Sequence, residues 1–118
     1  MKKVTKSLDV ELVYRVGASD PEAGHFAGGV EDPKHLDELA VWADYDEQFD
    51  FDRDAFVPSK DLQVQISGSR RALFEFGRYL IALSQLQTAD PDYHDHFDEL
   101  QLVNGKPACK LIVRLRDD

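Results

Sequence analysis

Cysteine, tryptophan and methionine occur once each in 118 residues. A lone cysteine, Cys109, forms no internal disulfide, so the fold must rest on its core, which a chain of this length can supply. Its scarcity also suits a reducing compartment and leads to the expectation of a cytoplasmic protein. No apolar run approaches the ~18 residues that span a bilayer. The amino-terminal MKKVTKSLDV has lysines but no apolar stretch behind them, so it does not read as a secretory signal and no membrane association is expected. There is no Walker loop, no G-x-G-x-x-G and no G-x-S-x-G. Acids outnumber bases by 23 to 14, and since phosphate binding needs Lys/Arg clusters this argues against direct nucleic-acid binding.

Negative charge is abundant, and it sits in one place. Residues 17–60 hold twelve acids and three bases, a net of −9 that equals the charge of the whole chain. Such a segment repels nucleic acid and attracts a basic protein surface, mainly by raising the association rate. It serves equally as a solvated acidic loop.

Alternating apolar residues predict a strand over LDVELVYRV (8–16). Gly, Pro and acids make 17–32 irregular. Asp32-Pro33 reads as a helix cap and first position, opening a short helix from Pro33 to Ala43 with Leu36, Leu39 and Ala40 inward. FDFDRDAFV (49–57) predicts an edge strand. DLQVQIS (61–67) predicts a strand with Leu62, Val64 and Ile66 inward. Ser69 then caps a helix over 70–87, with Leu73, Phe76, Gly77, Leu80, Leu83 and Ser84 as its stripe, flanked by Phe74 and Ile81. Gly77 is expected to bring the helix close to the sheet, and Arg71 to pair with Glu75. Residues 94–103 and 108–115 predict strands flanking Asn104-Gly105, a hairpin signal. The sum is a single α+β domain over 1–118 with an acidic excursion at 17–60. Its architecture is a two-layer sandwich, a mostly antiparallel sheet with one main helix (70–87) on one face.

Few constellations carry chemistry. His94, His96 and Asp98 form H-x-H-x-D, and in a strand the three share one face. They are either zinc or iron ligands or structural residues beneath the helix's C-terminal end, where a histidine donates to free carbonyls. Asp44, Asp46, Asp50, Asp52 and Asp54 supply oxygen ligands, but the EF-hand spacing and its glycine are absent. Gly68-Ser69-Arg70-Arg71 places two arginines at a helix start, where an anion or a plain cap fits. Cys109, in an apolar strand, is expected to be buried and inert. No cofactor and no catalytic residue are expected, so the chain reads as a binding protein and not an enzyme. Small metal-binding protein or enzyme centred on His94, His96 and Asp98, and regulatory subunit of an intracellular complex, are the alternatives.

The strand DLQVQIS, Gly68 before a Leu- and Phe-rich helix, YHDHFDEL and the final KLIVRL occur in that order. Over about residues 61–115 the chain resembles a family of bacterial immunity proteins that protect against polymorphic toxins. The resemblance implies tight binding to a cognate toxin and occlusion of its active site, without chemistry. Residues 1–60 lie outside it. A toxin with a basic surface would complement the acidic segment. On that reading Asp44, Asp46, Asp50, Asp52 and Asp54 steer the encounter, and Trp42, Tyr45, Phe49 and Phe51 anchor it.

Overall fold

The computed structural model describes residues 1–103 and 109–116. Ser69 Oγ accepts the Ala72 N–H at 3.1 Å, and this cap opens α1, Arg70–Ser84. Besides two 3-10 turns, Pro21–Ala23 and Leu36–Glu38, the remaining described elements are strands: β1 (Tyr14–Arg15), β2 (Gly29–Val30), β3 (Leu39–Asp50), β4 (Ala55–Gly68), β5 (His94–Phe97) and β6 (Leu111–Arg114). They pair antiparallel as β1–β2, β3–β4 and β5–β6. One helix with antiparallel strands is the α+β class read from the sequence. The expected single sheet is instead three two-stranded ladders.

The core forms where α1 meets β2, Tyr93 and β5. Ala72, Phe76, Tyr79, Ala82 and Leu83 turn inward against Val30, Leu39, Tyr93 and Phe97. Phe76 and Leu83 fulfil the expected stripe, but Leu73, Phe74, Leu80 and Ile81 are exposed while Ala72, Tyr79 and Ala82 are buried. The helix is apolar on more of its circumference than one layer covers, and the layer lies on the Phe76–Tyr79 side. Gly77 approaches nothing: a Cβ there would meet no atom within 4 Å. Arg71 turns from Glu75 to Glu38, donating from Nε at 2.9 Å and from Nη2 at 2.5 Å, while Glu75 pairs with Arg78. The Arg71 guanidinium holds the Glu38 carboxyl below its usual pKa.

The region before α1 departs most from expectation. The helix predicted over 33–43 is a single 3-10 turn, Leu36–Glu38, after which Leu39 enters β3. Leu36, Leu39, Ala40 and Ala43 suit a helical period, but Leu39, Val41, Ala43 and Tyr45 suit a period of two just as well. Pairing decides, because those four meet Gly68, Ile66, Val64 and Leu62 across the ladder. The edge strand predicted over 49–57 is broken by a turn at 51–54. Asp50 Oδ1 accepts the N–H groups of Asp52 (2.9 Å) and Arg53 (3.3 Å), satisfying the turn where a strand would leave them to a neighbour. The strand expected over 8–16 shrinks to Tyr14–Arg15, and among the described residues no backbone hydrogen bond links 1–12 to the rest.

At the carboxyl end β5 stops at Phe97, and β6 covers only 111–114. The expected Asn104–Pro107 connection lies outside the described residues. Gln101 N–H donates to Leu39 O and Cys109 N–H to Val41 O, so this segment edges the root of β3. Cys109 is half-buried, not buried.

Candidate functional site

β3 and β4 form the longest ladder, and most of it stands clear of the core. Alternation and register set two faces. Leu39, Val41, Ala43 and Tyr45 share one with Gly68, Ile66, Val64 and Leu62, while Trp42 and Asp44 share the other with Gln65 and Gln63. At the root the apolar face is covered, with Leu39 and Val41 buried. Farther out it is bare: Ile66 is 48% exposed, and Val64 and Leu62 are each 63% exposed. The sequence predicted these three inward. Their alternation was the right signal for one apolar face, but the helix that would cover it lies beside the root only.

Between the Tyr45–Leu62 and Glu47–Pro58 pairs, β4 carries three residues opposite one in β3, a bulge that re-aims the outer hairpin. Beyond it, Phe49 meets Phe51 and Phe56 edge-on, with ring centroids 4.9 and 5.4 Å apart. All three rings are exposed. Phe56 belongs to this cluster although it was not among the residues proposed from the sequence for partner contact. Asp46, Asp50, Asp52 and Asp54 surround the same end, where Asp54 adopts a left-handed φ of 50°. Asp46 and Asp50 have local duties as well. Asp46 Oδ1 accepts from Glu47 N–H, and Asp50 ties the turn and pairs with Arg53 at 3.6 Å. Every residue proposed from the sequence for partner contact (Trp42, Asp44, Tyr45, Asp46, Phe49, Asp50, Phe51, Asp52, Asp54) therefore lies on one projecting hairpin. Trp42 Nε1–H is buried there without a hydrogen-bond acceptor among the described residues.

H-x-H-x-D is divided by β5. His94 and His96 lie on its outer face, rings 4.9 Å apart, opposite Arg114 and Ile112. Phe97, of the other parity, is the core residue, and Asp98 lies past the strand's end. The histidines are thus not beneath the helix terminus as expected. His94 Nδ1 contacts Asp92 O at 2.7 Å, and Arg114 pairs with Asp92. Leu100 packs against the core, but Leu102 is exposed. Burial of Phe97 sets this parity, since an aromatic ring gains more from the interior than imidazole does. Among the described residues, no three His, Cys, Asp or Glu side chains are grouped as a metal requires.

The inner side of β5 holds the main polar network. Asp95 Oδ2 accepts from Tyr79 Oη at 2.5 Å and Tyr93 Oη at 2.9 Å, and Tyr93 Oη accepts the Val30 N–H at 2.9 Å. Arg15 approaches Asp95 at 3.7 Å. Burial, then the Asp95 hydrogen bond, raises the Tyr79 pKa far above 10.0; burial also raises that of Tyr93. Both hydroxyls stay protonated and engaged, so neither is a base or a nucleophile at neutral pH. A cleft beside it, between Tyr14–Ser19, Ala27–Gly29 and Gln85–Ala89, contains the ionisable groups Tyr14 and Arg15, and Tyr14 Oη donates to Ala82 O at 2.8 Å. No acid–base pair lines it. No described helix is long and apolar enough to cross a membrane.

Residues 63–114 match the model of the family described as Immunity protein 32. The matched segment begins within β4 and runs through α1 and β5 to the end of β6, leaving β3 and the hairpin's outer end outside it. The resemblance to immunity proteins read from the last half of the sequence is borne out over that segment. No match was found among curated proteins or among solved structures.

Proposed function

We propose that the protein is a non-enzymatic immunity protein that neutralises a cognate bacterial toxin by binding it, with the outer β3–β4 hairpin as the contact surface. The observation that carries this reading is the Immunity protein 32 match over 63–114, a family whose name implies a toxin partner. The hairpin supports the choice of surface. A two-stranded ribbon with one face bare is marginal alone in water, and exposed apolar patches rimmed by charge mark interaction sites. Phe49, Phe51 and Phe56 are the anchors. Asp46, Asp50, Asp52 and Asp54 steer a basic toxin surface, and desolvation of the rings on contact slows its release. On this reading the protein acts in the cytoplasm, beside the toxin's target.

The test has two parts. Tagged protein captures its partner from cells of the source organism, and the partner is then produced for binding kinetics. Recovery of a toxin domain whose activity the protein suppresses is expected; suppression of no toxin would rule out immunity. The triple variant Asp50→Asn, Asp52→Asn, Asp54→Asn should associate about tenfold more slowly at low salt, with the difference shrinking as salt rises. Equal rates at low salt would remove the steering role and leave the anchoring role standing.

A further inference from the structure

The two edges of the β3–β4 ladder differ. On the β3 side, Gln101 N–H donates to Leu39 O at 2.8 Å and Cys109 N–H to Val41 O at 3.2 Å. Leu39 and Val41 therefore point their backbone groups away from β4. Ser69 N–H donates to Glu38 O at 3.3 Å, so the pair just before Leu39 points inward. In an antiparallel ladder such pairs alternate. The register Val41–Ile66, Ala43–Val64, Tyr45–Leu62 then turns the N–H and C=O groups of Ile66, Val64 and Leu62 off the opposite edge. The chain covers its own β3 edge at the root, but no described strand pairs with the edge of β4. Every residue from Lys60 to Ser67 is exposed.

Farther out the β4 edge is defended. Pro58, Lys60 and the bulge between them and the inner ladder are the devices by which proteins discourage strand addition. From Leu62 to Ser67 there is no proline, no charge and no bulge. The residues whose backbone groups face outward here are also the ones whose apolar side chains are bare. A strand added along this edge gains main-chain hydrogen bonds and covers Leu62, Val64 and Ile66 in one step.

We propose that the β4 edge over Leu62–Ser67 takes up an extended segment of the toxin as an added strand, an inference that rests on the immunity reading and specifies its contact. Charge selects a basic partner over a second copy. The adjoining strand and hairpin carry Asp46, Glu47, Asp50, Asp52 and Asp54, and a second copy would bring the same acidic excess to the contact. The chemistry of the segment follows from the edge. It has apolar side chains at every second position beside Leu62, Val64 and Ile66, polar ones beside Gln63 and Gln65, and Lys or Arg where it passes Asp61. Val64 and Ile66 lie within the segment that matches the Immunity protein 32 model, whereas β3 and the hairpin's outer end do not.

Amide hydrogen exchange, followed residue by residue by NMR on the full chain, tests this in two stages. In the free protein the amides of Leu62, Val64 and Ile66 should exchange at least about tenfold faster than those of Gln63, Gln65 and Ser67, which face β3. Equal protection of both sets would mean that this chain or a second copy already covers the edge, and overturns the proposal without any toxin. With the captured toxin bound, the first set should slow by at least about tenfold. A toxin that is bound and suppressed while those amides exchange as before overturns the edge contact and leaves immunity standing; suppression of no toxin removes both. Val64→Pro and Val64→Ala separate backbone from side chain. Both should keep the helical circular dichroism of wild type, because an outward N–H on an edge strand is where proline is tolerated. The proline variant should bind the toxin at least about tenfold more weakly than the alanine variant. Equal binding by the two overturns the proposal.

Discussion

Asp95 holds the interior together through two tyrosines, and its neighbourhood leaves little room for change. Gly29, at φ 139°, lies so close to Tyr93 that a Cβ there would sit 2.3 Å from the hydroxyl. The glycine thus permits the Val30–Tyr93–Asp95 chain of hydrogen bonds. Tyr79→Phe removes one donor from a carboxylate, and at pH 7 it should cost about 2 kcal/mol by urea unfolding. The pH dependence has a definite sign. Because the folded Tyr79 pKa lies above its unfolded value of 10.0, its contribution is complete below pH 10 and declines above it, as the unfolded chain loses the proton first. Wild-type stability should therefore fall on passing from pH 9 to about pH 11, and less steeply in Tyr79→Phe. A wild-type profile that is flat there would mean that the hydroxyl is not held protonated. Sequence spacing gave no sign of this network: Tyr79 and Asp95 are sixteen residues apart and meet only when α1 packs on β5.

The helix and the hairpin show how far local pattern carries an element. Ser69, a polar residue before an apolar period, predicted the start of α1, and its Oγ caps that start. Ser69→Ala should lower stability by about 1 kcal/mol, measured by thermal or urea unfolding, since the Ala72 N–H then turns to water. No loss on that substitution would mean that the helix start is held by the Arg71–Glu38 pair instead. DLQVQIS was equally legible as a strand with one apolar face. Its partner was not, because Leu39–Tyr45 satisfies both helical and strand periods, and the choice depends on a ladder to residues seventeen to twenty-nine positions away.

The molecule is far from spherical. Its radius of gyration is 18.9 Å, against about 13–14 Å for a compact chain of this length. The buried set (Val30, Leu39, Ala40, Val41, Ala72, Phe76, Tyr79, Ala82, Leu83, Tyr93 and Phe97) avoids the outer hairpin entirely. Replacing residues 44–63 by Asn-Gly, so that Ala43 and Val64 meet through a tight turn, should leave a cooperative unfolding transition within about 5 °C of wild type. The same variant should lose toxin binding in a titration. Loss of folding would show that the hairpin supports the body; retained binding would place the contact elsewhere. Twenty large hydrophobic side chains are exposed among the described residues, far more than so small a core conceals, and they concentrate on the hairpin, the outer side of α1 and the amino-terminal arm.

Periodicity, capping and charge count are properties of neighbours along the chain. By themselves they determined that this protein has one substantial helix opening at Ser69, an apolar-faced strand before it, and an acidic segment carrying the entire net charge. They also gave the order of motifs that resembles immunity proteins. What covers each apolar face is not a local property. Burial needs a second surface at the right distance, and only packing decides whether one is there. Tertiary structure thus turned Phe97 inward and His96 outward, and left Leu62, Val64 and Ile66 bare. It also made Pro33–Ala43 a turn and a strand, because a ladder to residues 62–68 satisfies both backbones at once.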